Sequence, residues 1–399
     1  MRDLVLGESL EVLIDHRGKT PKKLGVDFSA VGVPVASAML VSDGRLHLEE
    51  ARYVSEETAE KWMPVPLRRG DVLLTSEAPL GRVARVPSDE PLVLGQRLFG
   101  LRGKQGVLHT GYLYYALQCG PVQSQLVGRA TGTTVVGIRQ SALRSVKIPA
   151  PTFESQHAIA EVLGALDDKI AANRKVAATA DALARAIFKR ARWGATAHEV
   201  TYENIADIGG GGTPRTSVPE YWDGPIQWAT PTDVTALNVP SLAETSRTIT
   251  EQGLLNSSAN LYPVGSILMT SRATIGAFAI AEIPVAVNQG FIVVNAKNPS
   301  CQWWLYHDMR SRVDEFISHA NGATFLELPR GRFKNLPVQI PDDSVLAKFS
   351  TKAAELHRVA STASAESRTL GLIRDTLLPQ LMSGRLRIHD AENAVESVL

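Results

Sequence analysis

The chain of 399 residues is too long for one compact core and is expected to divide into two or more domains. Its hydrophobic content of 44% and charged content of 21% are those of a soluble globular protein. With 42 Lys plus Arg against 41 Asp plus Glu, no bulk charge selects a partner, although a local basic patch is enough for nucleic acid. The only two cysteines, Cys119 and Cys301, exclude a disulfide framework and a Cys-x-x-Cys metal site. The start "MRDLVLGESLEVL" lacks the order of a signal peptide, and no apolar run approaches the length of a membrane span. A cytoplasmic protein with no membrane partner is expected.

Taken in chain order, residues 1–152 read as a β-rich domain. "DVLLT" followed by "GRVARV" gives short apolar runs broken by Gly and Pro, as in a hairpin. Residues 153–196 change character: no proline follows Pro151, and Ile159, Val162, Leu163, Leu166 and Ile170 keep the three-four spacing of a helix face. Val176, Ala180, Leu183 and Ile187 continue the stripe, and Asn173 falls on the heptad series with Ile159, Leu166, Ala180 and Ile187. A polar residue there either fixes register or is simply solvated. Asp167 and Asp168 are expected on the solvated face of this helix. Residues 197–341 return to short apolar runs, "SILMT" and "GAFAIA". In 342–399, Phe349, Leu356, Ala363, Leu370 and Leu377 recur at every seventh position, a coiled-coil seam. A helix of roughly 35 residues is on the order of 50 Å long. Each helix either packs on its own domain or pairs with the other, and their lengths favour pairing.

The second half repeats the first. With Gly70 set on Gly265, the pairs Leu73/Leu268, Thr75/Thr270, Ser76/Ser271, Ala78/Ala273 and Gly81/Gly276 fall in register. Further anchors follow in the same order: Gln96 with Gln289, Gly132 and Thr134 with Gly322 and Thr324, and Pro151 with Pro341. Earlier in each half, "RYVSEE" from Arg52 matches "RTITEQ" from Arg247. A repeat of this length is a whole domain with its connector rather than a solenoid unit.

No enzyme signature accompanies the repeat. "GGGGTPRTSVPEYWDG" from Gly209 has neither G-x-G-x-x-G nor Gly-Lys-Ser/Thr. The corresponding "HRGKTPKK" has Gly18-Lys19-Thr20, but Leu13 stands where a phosphate loop needs its first glycine, and Pro21 opposes helix at Thr20. H-E-x-x-H, G-x-S-x-G and Cys/His clusters are also missing, so no catalytic or metal site is assigned. What remains is polar loop chemistry, in which Arg, Asn and Gln read base edges and Lys and Thr hold phosphates. The first copy offers Arg17, Lys19, Thr20, Arg82, Arg97, Thr133, Thr134 and Arg139. The second offers Thr213, Arg215, Thr216, Arg272, Asn288, Gln289 and Arg330. The four glycines are read as a flexible turn feeding such a surface, or as a structural turn alone.

These features together resemble the specificity subunits of type I restriction–modification systems, over essentially the whole chain. "AIAEVLGALDDKIAANRK", "ALARAIFKR" and "IRDTLLPQLMSGRLRI" look like the helical regions of that family, and "GGTPRTSVPEYWDGPIQW" like the opening of a target-recognition domain. The first copy lacks the Tyr-Trp-Asp-Gly segment. The resemblance implies an α+β fold: two duplicated β-rich target-recognition domains (1–152 and 197–341), joined pseudo-twofold by two long antiparallel coiled-coil helices (153–196 and 342–399). It implies a non-catalytic subunit that reads bipartite double-stranded DNA, sets the half-site spacing and docks two methyltransferase subunits through the helices. The coiled-coil seam and partner-docking positions would be Ile159, Leu163, Leu166, Ile170, Asn173, Leu183, Ile187, Phe349, Leu356, Leu370 and Leu377. S-adenosylmethionine would be bound by the methyltransferases, ATP and Mg by the partner subunits, which include motor-nuclease subunits, and no cofactor by this chain. A coiled-coil scaffold whose β-rich domains bind protein or glycan is the alternative from another class, and a hydrolase with an unrecognised site is a third.

Overall fold

The computed structural model describes residues 1–399 except Arg17, Gly194, Ala195, Asn238, 323–325, Ser397 and Leu399. Arg17 and Thr324, singled out above, thus lie outside the described residues. The chain forms two compact units, Met1–Ile170 with Arg368–Leu399, and Ala171–Ser367. Sequence reading made each long helix a region of its own. The units instead divide both helices near their middles, because each half-helix is buried in the core of one unit.

In the first unit, an antiparallel sheet runs in the order Leu10–Asp15, Leu98–Gly103, Val72–Thr75, Val83–Arg85. A second sheet places Val33–Ala36 between Arg52–Val54 and, in parallel, Val93–Leu94. Arg2–Val5 pairs with Lys147–Ala150 and closes the domain. The second unit repeats this plan. Its larger sheet runs Ala206–Gly209, Phe291–Ala296, Ile267–Thr270, Phe278–Ala281 and Ser241–Leu242. Trp222–Ala229 lies between Thr248–Ile249 and Val285–Val287, again parallel to the latter. Ala197–Thr201 closes on Pro337–Pro341. The central strands "VLLT" and "ILMT" are buried throughout, which explains their unbroken apolar runs.

The repeat extends to individual hydrogen bonds. Thr75 Oγ1 accepts the Arg82 amide at 2.8 Å and Thr270 Oγ1 that of Ala277 at 2.9 Å, each closing a hairpin. Gly81 and Gly276 turn these hairpins at φ +90° and +88°, and Ala78 and Ala273 stand in the left-handed region at +52° and +60°. The Ser76 amide donates to Arg97 O and the Ser271 amide to Gly290 O.

The long helices are Phe153–Trp193 and Asp343–Ser383, 41 residues each. Thr152 Oγ1 accepts the Ser155 amide at the start of the first, and left-handed Gly384 (φ +71°) ends the second. In the first unit, Ile159, Val162, Leu163, Leu166 and Ile170 share a core with Leu370, Leu377, Leu381 and the recognition-domain residues Tyr112 and Tyr115. In the second unit, Ala177 and Ala180 meet Ala360 and Ala363, with Leu356 beside them, and the Phe188 ring packs on Phe349. Residues rising along one helix meet residues falling along the other, so the helices pair antiparallel. The tail beyond them folds as a short helix, Ile388–Glu396, whose Ala391 and Val395 enter the first core.

The expectations for Val176, Leu183, Ile187 and Asp167 on the first helix are corrected. Leu183 is 48% exposed and Val176 45%, while Ile187 is only half-buried; Ala184 and Phe188 take the inner positions instead. An unsupercoiled helix of 3.6 residues per turn drifts away from a strict seven-residue series, which rotates Leu183 out and Phe188 in. Asp168 is exposed, but Asp167 is not on a solvated face. It accepts from Arg85 (3.0 Å), Arg374 (2.8 Å) and the Tyr115 hydroxyl (2.6 Å), tying sheet, helices and core of the first unit. In the second unit, Asp181 on the same helix accepts Arg310 at 2.6 and 3.3 Å. Burial alone would raise its carboxyl, but Arg310 and Arg185 hold it below the ordinary value. Asn173 is buried and donates to Glu366 Oε2 at 2.9 Å across the helix pair.

Sequence-distant histidines also meet here. His307 Nε2 and His357 Nε2 are 2.9 Å apart in the buried aromatic core of the second unit, and His357 stacks on Trp303 at 4.2 Å. One ring must donate and the other accept, so the two cannot both be protonated. Burial, reinforced for His307 by its neighbour, pushes His307 down to about 3 and His357 down to about 4.

Two outcomes follow from these buried groups. Asp167→Ala removes the carboxylate that Arg85 bonds and leaves Arg374 with Asp375 alone; it is expected to cost about 2–4 kcal/mol, after discounting for their partial exposure, in the urea transition of the first unit. The histidines' folded values lie below the unfolded one, so the unfolded chain binds more protons and stability rises with pH. Acidification from 6.5 toward about 4 should progressively destabilise the second unit, by roughly 1.4 kcal/mol per pH unit for each histidine. Melts at pH 7.5 and 5 check this, and His357→Phe should flatten the dependence.

Candidate nucleic-acid interface

In the second unit, the glycine segment is a matter of space rather than flexibility. None of Gly209 to Gly212 has a positive φ. A Cβ on Gly211 would run into the Val287 carbonyl, and one on Gly212 into Ser258 Oγ. The Gly212 amide donates to Val287 O at 3.1 Å, Gly212 O accepts the Trp228 indole at 3.0 Å, and Gly210 O accepts the Tyr262 hydroxyl at 2.5 Å. Side chains here would push the backbone off the sheet, so the flexible-turn reading is replaced by close packing.

This fixed segment delivers Thr213 to the surface, where its hydroxyl donates to Gln289 Oε1 at 2.7 Å. Asn288 Oδ1 accepts the Gly290 amide at 2.8 Å and holds that turn. Gly290 O accepts from Ser271, so Arg272 lies beside it and pairs with Glu327 at 2.8 Å. A Cβ on Gly210 would come within 2.9 Å of Arg330 Nη1, which puts Arg330 against the same segment. Arg215 and Thr216 are exposed beyond it, and Arg215 O accepts the Trp222 indole at 3.3 Å. The candidates of the second copy thus fall on one contiguous stretch of surface.

The first unit gathers fewer of its candidates. Arg97, left-handed at φ +65°, pairs with Glu77 at 2.9 Å. Glu77 bridges to Gly137, which closes the loop carrying exposed Thr133 and Thr134. Arg139, also exposed, follows one residue after Ile138, whose amide donates to Ser76 O. Lys19, Thr20 and Arg82 make contacts within the fold. Thr20 Oγ1 caps the short helix Pro21–Leu24, Lys19 Nζ donates to Trp62 O at 3.3 Å, and Arg82 donates to Val41 O at 3.3 Å. Arg82 also lines a cavity of about 340 Å³ with Ser42, Asp43 and Gln118.

Sequence reading missed two features of these faces. Arg52 stacks on Phe28 at 3.7 Å and Arg247 on Trp222 at 3.6 Å, and these are the arginines that open the "RYVSEE" and "RTITEQ" anchors. Their equivalence was the available signal. The carboxylates Glu77 and Glu327 were passed over because acidic groups do not suggest DNA contact.

The surface suits recognition through hydrogen bonds. Guanidinium forks, amides and hydroxyls stand on a rigid backbone, the chemistry that reads base edges and phosphates. Burial pushes the Cys119 thiol up to about 11 and raises that of Cys301, so neither is an activated nucleophile. Among the described residues, no group of three or more His, Cys, Asp or Glu converges as a metal site, and no helix is long and apolar enough to cross a membrane.

Residues 5–180 and 196–348 match the model of the type I restriction modification DNA specificity domain, once per copy. Over 151 residues the chain is 34% identical to the type I restriction enzyme MjaIX specificity subunit of Methanocaldococcus jannaschii, a match covering 37% of this chain and 35% of that protein. The chain thus spans about a third of that relative's length. Similarity to the HindI specificity subunit of Haemophilus influenzae is 20% over 400 residues, covering 80% and 87% of the two chains. The crystal structure of a type I restriction-modification system S subunit from M. genitalium shares the fold, with a TM-score of 0.62 at 18% identity over 95% of each chain.

Gly211→Ala is expected to destabilise the second unit by about 1–3 kcal/mol through overpacking on Val287. Gly331→Ala, in open space on a helix, should be neutral or slightly stabilising. Paired urea melts of the two variants check the contrast.

Proposed function

The chain belongs to the type I restriction modification DNA specificity domain family, and on that premise we propose that each unit reads one half of a bipartite DNA site. The chain acts as the non-catalytic subunit of a methyltransferase and restriction complex. The observation that carries this reading is the duplication of one exposed polar framework, built from equivalent turns, on two units connected by uninterrupted helices. A duplicated reader suits duplex DNA, whose two half-sites recur on one face at about one helical turn.

In this reading the paired helices hold the two readers at a set distance and dock two methyltransferase subunits along their outer faces. Exposed Val176, Leu183, Val359 and Leu372 are apolar positions available for that docking. S-adenosylmethionine, ATP and Mg belong to the partners, and motor-nuclease subunits join for restriction. The net charge of +1 leaves part of the phosphate attraction to partner surfaces.

The ruler role is tested by inserting one heptad into each helix, near Ile170 and Arg368, which nearly preserves the buried face and adds about 10 Å. Mapping N6-methyladenine in cells carrying the variant and its methyltransferase should return both original half-sites with a spacer longer by about three base pairs. Full activity on the original spacer would overturn the ruler.

A further inference from the structure

Both recognition faces carry an exposed arginine–carboxylate pair at the same place, assembled from different residues. Glu77 and Arg272 occupy equivalent positions, each after a buried serine, before a left-handed alanine and bridged to the following loop. The backbone therefore presents both side chains alike, yet their charges are opposite. In the first unit, the partner of Glu77 is Arg97, whose counterpart in the second is Gly290. In the second unit, the partner of Arg272 is Glu327, whose counterpart in the first is Gly137. Where one copy places a charge, the other places glycine, and the pair is restored by a different route.

Stability does not account for this. The side chains are 53% and 34% exposed in the first pair and 45% and 44% in the second, and exposed ion pairs contribute little. Nor does attraction to DNA, because a carboxylate there repels phosphates. The pair makes sense as a filter. A guanidinium held by a carboxylate is restrained from bonding any phosphate within reach. A base pair that offers a guanine O6/N7 edge to the fork and a cytosine amino group to the carboxylate satisfies both groups at once.

We propose that Glu77 with Arg97, and Glu327 with Arg272, are specificity-determining pairs, each reading a G·C base pair in the half-site of its own unit. The two glutamates position the arginines and suppress binding to non-cognate DNA. This rests on the proposed function above.

The test uses Glu77→Gln and Glu327→Gln, near-isosteric changes at half-buried surface sites, in the complete complex with its methyltransferase. Methylated motifs are mapped, and affinities for cognate and scrambled duplexes are measured at two salt concentrations. Each variant should bind scrambled duplex about three- to tenfold tighter, lower the cognate-to-scrambled ratio by about tenfold and relax a G·C position in one half-site only. The two variants should affect opposite half-sites, and Arg97→Lys should relax the same position as Glu77→Gln. An unchanged motif overturns the inference, whether affinity is unchanged or rises equally for all duplexes; so does relaxation at an A·T position. If the wild-type complex recognises no bipartite motif at all, the proposed function itself has failed.

Discussion

The stripe along the two long helices is the constraint on which each unit depends. Half of each helix is core to one recognition domain, so neither domain has a complete interior without both helices. The stripe is apolar and large where it meets the first domain, at Ile159, Leu163 and Leu166, and narrows to Ala177, Ala180, Ala360 and Ala363 in the second unit. Small side chains let two helix backbones approach closely, and close approach leaves little freedom to slide.

Within that stripe, carboxylates supply direction where hydrophobic packing supplies only adhesion. Asp167 in the first unit and Asp181 in the second lie on the same helix, two heptads apart, and each accepts an arginine from its domain, Arg85 or Arg310. Charged hydrogen bonds tolerate little displacement, so each domain is held on its half-helix in one register. Asn173 with Glu366 adds a polar pair between the helices themselves. A partly buried polar pair is a weak source of stability but a good one of register.

The recognition faces divide labour differently. Backbone geometry recurs around the hairpin of each copy: the hairpin threonines, the left-handed alanines and the serine-to-turn hydrogen bonds are all present twice. The side chains on that backbone are not invariant, and Lys19 and Thr20 in the first copy serve the fold while Thr213 in the second reaches the surface. A rigid frame with exchangeable side chains is what a reader of different half-sites requires.

Much of this was legible in the sequence, because a duplication leaves ordered anchors and a buried helix leaves a periodic stripe. The repeat, the helices, their pairing and the family resemblance all rest on such one-dimensional patterns. The individual contacts were not legible, and the reasons are physical. Leu183 faces out because helical pitch and heptad spacing differ slightly, an error that accumulates over turns. Asp167 is engaged because Arg85 and Arg374, distant in sequence, reach it only after packing. The four glycines are short of space rather than in need of freedom, since Val287 and Ser258 crowd them from elsewhere in the chain. The sequence by itself determined the hairpin strands, the two long helices and that the unit occurs twice, because periodicity and repetition are properties of the chain. Only the tertiary structure decided which charges meet and which arginines stay at the surface, because those depend on distances across the fold.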